Sequence, residues 1–365
     1  MRVVIVSKAL LVAAYRGKLA ALAREADLEL IALVPPSWRD RRGLTRLEPG
    51  ATPGYRLIVT PILLNGHYHL YFYPRLGRLL RDLRPDIVHV DEEPYNLAAW
   101  QATLLADRVG ARTCFFTWQN LLRRYPPPFR WFERACYQWA GHAIAGNQDA
   151  ARVLRAKGYQ GPITIIPQFG VDPELFSPRE PPPETPFTVG YAGGLIPEKG
   201  VDLLIEAMAR LPGEWRLLLA GEGKEQALLQ RMAQDQGMAD RVQFLRRLSS
   251  TQMPDFYRRL HVLVLPSRER PNWKEQFGRV LVEAMACGVP VVGSDCGEIP
   301  HVIRDAGLIF PQDDVDALRA HLSRLQRDAD LRRDLARRGR ERVLERFTHE
   351  RVAAMTLAVY RSLCP

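Results

Sequence analysis

Short apolar runs alternate with helical patterns along the whole chain. In the first half, the runs that predict strands are 3–6, 29–34, 87–90, 113–116, 143–145 and 164–166. In the second half they are 188–192, 216–220, 242–245, 262–265, 289–293 and 308–310. Apolar runs of this length, separated by helices, are typical of buried parallel strands. The alternation therefore predicts an α/β protein with two doubly wound parallel sheets.

A proline-rich segment divides the two sets of strands. Its prolines are Pro173, Pro178, Pro181, Pro182, Pro183 and Pro186. Such a segment is typical of an extended, semi-rigid linker. We therefore expect a domain at 1–172, a linker at 173–186, a second domain at 187–346 and a C-terminal helix within 347–365. A chain of 365 residues is long enough for two domains.

Two carboxylates bracket the start of a short apolar helix in the second half. Glu275 precedes a Phe277-Gly278 turn, and Glu283 lies inside the helix that Gly288 ends. A carboxylate on a buried helix needs a partner or a ligand. An ion pair with Arg279, four residues earlier, is one interpretation of Glu283. The other is a phosphorylated, hydroxyl-rich ligand, because helix N-termini bind phosphate.

Four segments resemble one enzyme family, in the family's own order. They are the Pro167–Asp172 segment with one extra residue, Gly193–Gly200, Leu263–Ser267, and Glu275-x7-Glu283 followed by Ala-Met-Ala-Cys-Gly-Val-Pro-Val-Val. The family is that of the retaining nucleotide-sugar-dependent glycosyltransferases related to sucrose-phosphate and glycogen synthases. The resemblance is dense from 167 to 311 and elsewhere limited to layout. It implies two Rossmann-like domains facing across a cleft (GT-B), with helix 349–363 crossing back to the first domain.

The resemblance also implies a donor site and two catalytic residues. Lys199 would stabilise the charge of the leaving diphosphate, which needs a fixed positive group, although a surface lysine at a helix start is the alternative. Glu275 would bind the donor sugar and Glu283 the ribose, since carboxylates accept hydrogen bonds from hydroxyls. The other donor-site residues would be Gly193, Gly194, Phe277, Gly278, Arg279 and Val280. No cofactor and no metal are expected.

Two departures from the family pattern change the expected contacts. The family's arginine in the glycine-rich segment is Gly194 here, so we expect compensating charge from Arg268, Arg270, Lys274 or Arg279. The family's histidine and glycine-rich loop of the first domain are also absent. The candidates for sugar or acceptor contacts in their place are Lys8, Tyr15, His89, Gln119 and Asn120, with a structural role as the alternative for His89.

Charge and composition narrow the partners. Much of the net charge of +10 lies in the arginine-rich 324–351, where interspersed acids predict solvated helix faces. No recognition motif for nucleic acid accompanies it.

The basic, aromatic segment 121–134 suits either a membrane interface or a loop beside the cleft. The aromatic 64–73 suits either a glycan or a strand core. Five cysteines without a C-x-x-C pair indicate reduced thiols and a cytoplasmic protein.

The sequence thus predicts a metal-independent, retaining hexosyltransferase. Its expected partners are a UDP-, GDP- or ADP-sugar and a glycan or lipid-linked acceptor, with peripheral contact at the inner face of a membrane. No signal peptide or membrane-spanning run is expected. A dinucleotide enzyme is disfavoured, because no G-x-G-x-x-G follows the first strand. Two alternatives stay open: a nucleotide-sugar epimerase of the same architecture, and a catalytically silent sugar-nucleotide-binding protein.

Overall fold

The computed structural model describes residues 1–40, 43–180 and 182–364, and it divides into two units. The first unit is Met1–Gly170 with the C-terminal helix, and the second is Val171–Thr348. The linker prolines other than Pro181, which lies outside the described residues, belong to the second unit. Phe176 from this segment is buried in the core of the second unit, so the segment packs against that unit.

The first unit is built on a parallel sheet with helices on its faces. Its strands are β1 (Arg2–Val6), β2 (Glu29–Val34), the antiparallel pair β3 (Ser37–Asp40) and β4 (Gly43–Arg46), β5 (Arg56–Val59), β6 (Ile87–Val90), β7 (Arg112–Thr117), β8 (His142–Ala145) and β9 (Ile163–Ile165). Its helices are α1 (Gly17–Leu22), α2 (Leu76–Leu83), α3 (Leu97–Arg108), α4 (Phe129–Trp139) and α5 (Gln148–Ala156), and α13 (His349–Leu363) is the C-terminal one.

The order of the seven-stranded sheet is β5-β2-β1-β6-β7-β8-β9, all parallel. The order of the strands along the chain reverses direction in the sheet between β1 and β6. These two strands are neighbours, and their pairing begins with Val3 opposite Ile87. Parallel sheets of this kind bind ligands beyond the carboxyl ends of their strands, where the order reverses. The residues that follow β1 and β6 therefore occupy the favoured position of this unit.

The second unit repeats this architecture. Its strands are β10 (Phe187–Ala192), β11 (Trp215–Ala220), β12 (Val242–Leu245), β13 (Val262–Leu265), β14 (Val291–Ser294) and β15 (Leu308–Phe310). Its helices are α6 (Val201–Ala209), α7 (Gln226–Asp235), α8 (Met253–Tyr257), α9 (Arg279–Ala286), α10 (Ile299–Ile303), α11 (Val315–Arg327) and α12 (Ala329–Arg346). The sheet order β12-β11-β10-β13-β14-β15 reverses between β10 and β13.

The predicted fold class is confirmed: there are two parallel, doubly wound α/β sheets. The twelve predicted strands are all present, most of them to within a residue or two at each end. Three strands were missed, β3, β4 and β5. They are four residues long, and only one of their twelve residues is buried. Such strands carry neither the continuous apolar run nor the clean alternation that identifies a strand in sequence.

Candidate functional site

The loops after β10 and β13 meet at the reversal point of the second sheet. The first loop carries Lys199 and the second carries Ser267, Trp273 and Glu275, which together we call the Glu275 cluster. Lys199 Nζ lies 2.5 Å from Glu275 Oε2, and Ser267 Oγ donates a 2.9 Å hydrogen bond to the same oxygen. The Lys199 ammonium also lies 5.0 Å from the centre of the Trp273 ring. Residues 76 positions apart in the chain thus share one carboxylate oxygen.

Gly200 explains how Lys199 reaches this position. Its φ of +64° is a left-handed conformation, and a Cβ there would lie 2.1 Å from the Pro266 carbonyl oxygen. No other residue fits so close to the neighbouring backbone. The close approach holds the end of the Lys199 turn against the start of the loop that carries Glu275. Glu275 is 8% exposed, so its charge is largely removed from solvent.

Helix α9 begins at the next glycine of this loop. Gly278 is its N-cap, with φ +75° and no capping side chain, and the half-buried Phe277 precedes it. The first amides of a helix favour an anion, and in α9 they belong to Arg279 and Val280. This N-terminus therefore adds polarised N–H groups to the reversal point of the sheet.

Glu283, on the buried face of α9, has partners for both oxygens. Arg279 Nε donates to Oε1 at 2.7 Å, and Tyr257 Oη donates to Oε2 at 2.7 Å. The i,i+4 ion pair that the sequence offered is therefore present. A carboxylate has about four lone-pair positions, so these two bonds leave capacity for hydroxyl groups of a ligand.

The cations proposed to replace the family's arginine differ in their surroundings. Arg268 is buried and bound to Asp202 through both terminal nitrogens, at 3.1 and 3.0 Å. Lys274 pairs with Glu269 at 3.2 Å. Arg270 is exposed. The charges of Arg268 and Lys274 are thus balanced by carboxylates of the protein, whereas the Arg270 side chain is in solvent.

Gly193 and Gly194 complete the loop after β10. The Gly193 amide donates to the Ala220 carbonyl at 3.0 Å, and the Gly194 carbonyl accepts a 2.8 Å bond from Tyr191 Oη. A Cβ built on Gly194 meets no heavy atom within 4 Å. The missing arginine side chain is therefore not excluded by lack of space.

In the first unit, Lys8 follows β1 at the reversal point of the sheet. Its ammonium contacts the Glu92 carboxylate and lies 3.0 Å from Tyr71 Oη and 5.0 Å from the Tyr68 ring centre. Burial is the largest single effect and lowers the pKa of Lys8, but the charge of Glu92, its hydrogen bond to Lys8 and the neighbouring Tyr68 and Glu93 together outweigh it and raise that pKa. Lys8 is therefore a neutralised cation within a pocket of rings.

The remaining first-unit candidates lie in different places. Gln119 and Asn120 follow β7 and are buried. Tyr15 stacks on Phe169 with ring centres 4.2 Å apart. His89 is buried on β6, with Nδ1 2.7 Å from Tyr360 Oη on α13. Burial, followed by the charge of Lys18, lowers the His89 pKa to about 3. A neutral, buried imidazole of this kind fits the structural interpretation of His89.

Comparisons with known proteins agree with this arrangement. The family model described as "Glycosyl transferases group 1" matches residues 173–342, and "Glycosyltransferase Family 4" matches residues 19–175. The chain belongs to the GT-B glycosyltransferase family. The D-inositol 3-phosphate glycosyltransferase of Mycobacterium marinum is 29% identical over 87% of this chain and 66% of the relative. Its Mycobacterium bovis counterpart is 30% identical over 72% of this chain and 52% of the relative.

Solved structures share the GT-B fold at low identity. Sucrose-phosphate synthase from Thermosynechococcus elongatus superposes with a TM-score of 0.74 at 21% identity, over 100% of this chain and 99% of that one. Anabaena HepE in complex with UDP superposes with a TM-score of 0.75 at 17% identity, over 99% and 100%. The curated relatives above are longer than this chain, which spans 52% to 66% of them.

Several side chains in contact with the candidate site residues were not identified from the sequence. Ser267 bonds Glu275, the Trp273 ring lies beside the Lys199 ammonium, and Tyr257 bonds Glu283. Glu93, after β6, accepts bonds from Thr117 Oγ1 at 2.6 Å and from the Trp118 amide at 2.8 Å. The acidic triplet 91–93 directly after a buried strand was a usable signal for Glu93. The other partners depend on contacts that spacing alone does not reveal.

The described residues contain neither a cluster suited to a metal ion nor a helix suited to span a membrane. No group of three or more His, Cys, Asp or Glu side chains within 1–40, 43–180 and 182–364 is arranged to hold a metal ion. Over the same ranges, no helix has both the length and the apolar character needed to cross a bilayer. All five cysteines are free thiols.

Proposed function

We propose that this protein is a retaining glycosyltransferase that moves a hexose from a nucleoside-diphosphate sugar to a hydroxyl acceptor without a metal ion. The observation that carries the proposal is the Glu275 cluster at the reversal point of the second sheet. A cation, a carboxylate and a helix N-terminus converge there, which is what a diphosphate joined to a sugar requires. The complexes of HepE with UDP and with UDP-glucose support a donor of this class.

Lys199 supplies positive charge to the leaving diphosphate. An ammonium group has three donors, and only one is directed at Glu275. A diphosphate that binds beside this pair gains a fixed cation as its negative charge grows. The amides of Arg279 and Val280 add to that stabilisation from the start of α9.

Glu275 orients the donor sugar, and Glu283 binds the ribose of the nucleotide. Glu275 is fixed by Ser267 and Lys199, so its remaining lone pairs have a defined direction. We do not assign a covalent nucleophile. Retention of configuration follows from the family resemblance, and proton nuclear magnetic resonance of the product's anomeric signal tests it directly: an inverted product contradicts the proposal.

A binding experiment distinguishes the role of Glu275 from that of Glu283. Glu283→Gln should weaken binding of the free nucleoside diphosphate in calorimetry, whereas Glu275→Gln should lower turnover more than affinity. Arg279→Ala is the control, because it removes the ion pair but keeps the carboxylate. If Glu283→Gln binds the nucleotide normally, and both Glu283→Gln and Arg279→Ala lower the stability of the fold, Glu283 has only a structural role.

The acceptor is a glycan, a lipid-linked glycan or a polyol. The curated relatives are named for D-inositol 3-phosphate, which makes a polyol acceptor a specific candidate. Peripheral contact with the cytoplasmic face of a membrane is supported by Leu122 and Trp131, which are 62% and 57% exposed beside exposed arginines. Aromatic and basic side chains together favour an anionic interface. Failure to sediment with anionic vesicles would contradict this part of the proposal.

A catalytically silent sugar-nucleotide-binding protein is the second candidate. It is favoured by Gly194 and by the pairing of Lys199 with Glu275 in the structure. The deciding experiment measures release of nucleoside diphosphate from UDP-, GDP- and ADP-sugars, with and without acceptor, and the thermal stability with each donor. A glycosyltransferase releases nucleoside diphosphate in an acceptor-dependent way. A silent protein is stabilised by the donor but never releases the product, and an epimerase converts the sugar without acceptor.

A further inference from the structure

A cluster of aromatic rings lies within the first unit, beside the carboxyl ends of β6 and β7. His69 is central: its ring centre is 5.4 Å from Tyr95, 5.9 Å from Tyr125 and 5.0 Å from Phe129. Tyr95 and Tyr125 stack at 4.2 Å. Tyr68, 41% exposed, packs edge-on against His69 and opens the cluster to solvent. We call His69, Tyr68, Tyr95, Tyr125 and Phe129 the ring cluster.

Glu93 is fixed beside the ring cluster. Thr117 Oγ1 and the Trp118 amide donate to its two oxygens at 2.6 and 2.8 Å. A carboxylate has about four lone-pair positions, so half of its capacity is left. After burial, the charge of Glu93 is the next cause that raises the pKa of Tyr95. The carboxylate therefore acts directly on the ring cluster.

Gln119 gives an independent sign of a ligand at the same place. Its side chain is 6% exposed, and its Nε2 lies 3.5 Å from Tyr125 Oη. Its Oε1 is buried and has no hydrogen-bond partner in the part of the chain that the structure describes. A buried amide oxygen without a partner is unfavourable, because it has lost its hydrogen bond to water. A hydroxyl group bound here would satisfy it.

The charges around the ring cluster disfavour an anion. The two lysines next to its rings are already neutralised: Lys8 pairs with Glu92, and Lys157 pairs with Glu133 at 2.6 Å. Glu93 has neutral donors only, from Thr117 and Trp118. Burial raises the pKa of Glu93 to about 7, so the carboxylate is charged above that pH. A phosphate placed beside the charged form would be repelled, whereas a hydroxyl group would donate to it.

We propose that Glu93, Gln119 and the ring cluster form the acceptor subsite, and that this subsite takes an uncharged sugar or polyol rather than a phosphorylated one. The proposal rests on the glycosyltransferase function proposed above and adds the class of acceptor. Glu93 accepts a hydrogen bond from one acceptor hydroxyl, Gln119 Oε1 accepts another, and the faces of Tyr95 and Tyr125 line the sugar. A preference of Glu93 for uncharged acceptors would give this chain a different acceptor class from relatives named for an inositol phosphate.

The test compares matched acceptors that differ by a phosphate. The probes are myo-inositol with D-inositol 3-phosphate, and methyl β-glucoside with its 6-phosphate, each offered with the donor that stabilises the protein. The uncharged member of at least one pair should have the higher kcat/KM. Glu93→Gln should lower that kcat/KM by about 10–100-fold, the scale for one hydrogen bond to a charged group. Glu93→Arg should shift the preference toward the phosphorylated member.

Donor measurements separate this inference from the proposed function. Nucleotide-sugar affinity should be unchanged in Glu93→Gln, because the donor is proposed to bind in the second unit. Glu25→Gln, on the surface of the first unit, is the matched control. Gln119→Leu is a second variant with the same expected loss of transfer, in case Glu93→Gln does not fold. Preference for the phosphorylated probes, transfer to neither uncharged probe, or full transfer by both variants overturns the subsite. If the wild-type protein binds no nucleotide-sugar, the proposed function itself is overturned.

Discussion

Lys199 and Glu275 form a partly buried ion pair that the protein keeps at the point where a diphosphate would bind. Their side chains are 19% and 10% exposed, and Ser267 supplies a further bond to the carboxylate. The contact with Lys199 could not be derived from spacing, since Lys199 lies on a separate loop, 76 positions from Glu275. The sequence supplied the residue types and their family roles, whereas only the fold could show that they share one oxygen.

Replacing Lys199 should therefore affect catalysis more than folding. Lys199→Met should lower turnover about 10²–10³-fold, the scale for loss of one preorganised stabilising group. The free energy of unfolding should fall by about 1–3 kcal/mol, because a buried carboxylate loses a partner. Lys199→Arg is the matched control and should recover part of the turnover, since it restores the positive charge.

Steady-state rates and denaturant titrations measure the two effects of the Lys199 variants. Turnover of Lys199→Met within threefold of the wild type would contradict the role in leaving-group stabilisation. Equal loss of turnover in the methionine and arginine variants would mean that the ion pair with Glu275 serves structure alone.

Gly194 allows the missing arginine of the family to be restored. The space beyond its Cβ position is open, so Gly194→Arg should fold and present a guanidinium beside the Glu275 cluster. A charge-assisted bond to the diphosphate should tighten nucleoside diphosphate binding about tenfold or more. Gly194→Met is the uncharged control of similar length. Calorimetry that finds the same affinity in both variants would contradict the placement of the diphosphate at this loop.

At the scale of elements, the strands that carry the site were the most predictable part. β1, β6, β10 and β13 are continuous apolar runs because they are buried on both faces of parallel sheets. Edge strand β5 was missed, since none of its four residues is buried. Helix α9 was identified from its apolar run and Gly288. Its contact through Glu283 with Tyr257 of α8 was not, because tertiary contacts between helices leave no periodic pattern.

The contact between β6 and α13 should make the first unit sensitive to acid. Native His89 has a pKa of about 3, against 6.5 for the ordinary group, so the unfolded chain binds the proton first as pH falls. Stability from the neutral imidazole is therefore present above pH 6.5 and is lost progressively below it. At pH 5 the loss is about 2 kcal/mol.

His89→Gln isolates this effect, because the other histidines remain in both proteins. The variant should be less stable than the wild type at pH 7, since it loses the contact with Tyr360. The difference in Tm should narrow by a few degrees between pH 7 and pH 5. Parallel pH profiles of Tm for the two proteins would show that His89 is not neutral in the fold.

At the scale of the whole molecule the net charge is +10, and arginines of the segment 324–351 take part in local ion pairs. On α12, Arg337 bonds Asp334 and Glu341, and Arg338 pairs with Asp334. These side chains are largely in solvent, so each pair contributes little to stability. They agree with the expectation of solvated helix faces in the arginine-rich 324–351.

We expect independence from divalent metal because of the positive charge around the Glu275 cluster. In the proposed function, Lys199, the exposed Arg270 and the amides at the start of α9 would supply what Mg²⁺ or Mn²⁺ otherwise provides to a diphosphate. Transfer should therefore persist in EDTA with at most a modest change. It should fall as salt is raised from about 0.05 to 0.5 M, because ions screen partly exposed cations over a Debye length of about 10 Å at 0.1 M.

Transfer rates test both expectations, independence from metal and sensitivity to salt. They are measured in EDTA, in EDTA with added manganese, and across the salt series. Lys199→Met should show a weaker dependence on salt than the wild type, because its main contributing charge is gone. Abolition of transfer by EDTA with recovery on adding manganese would replace the lysine with a metal as the source of charge. It would also require carboxylates, which Glu275 and Glu283 alone do not supply while each is paired with a cation.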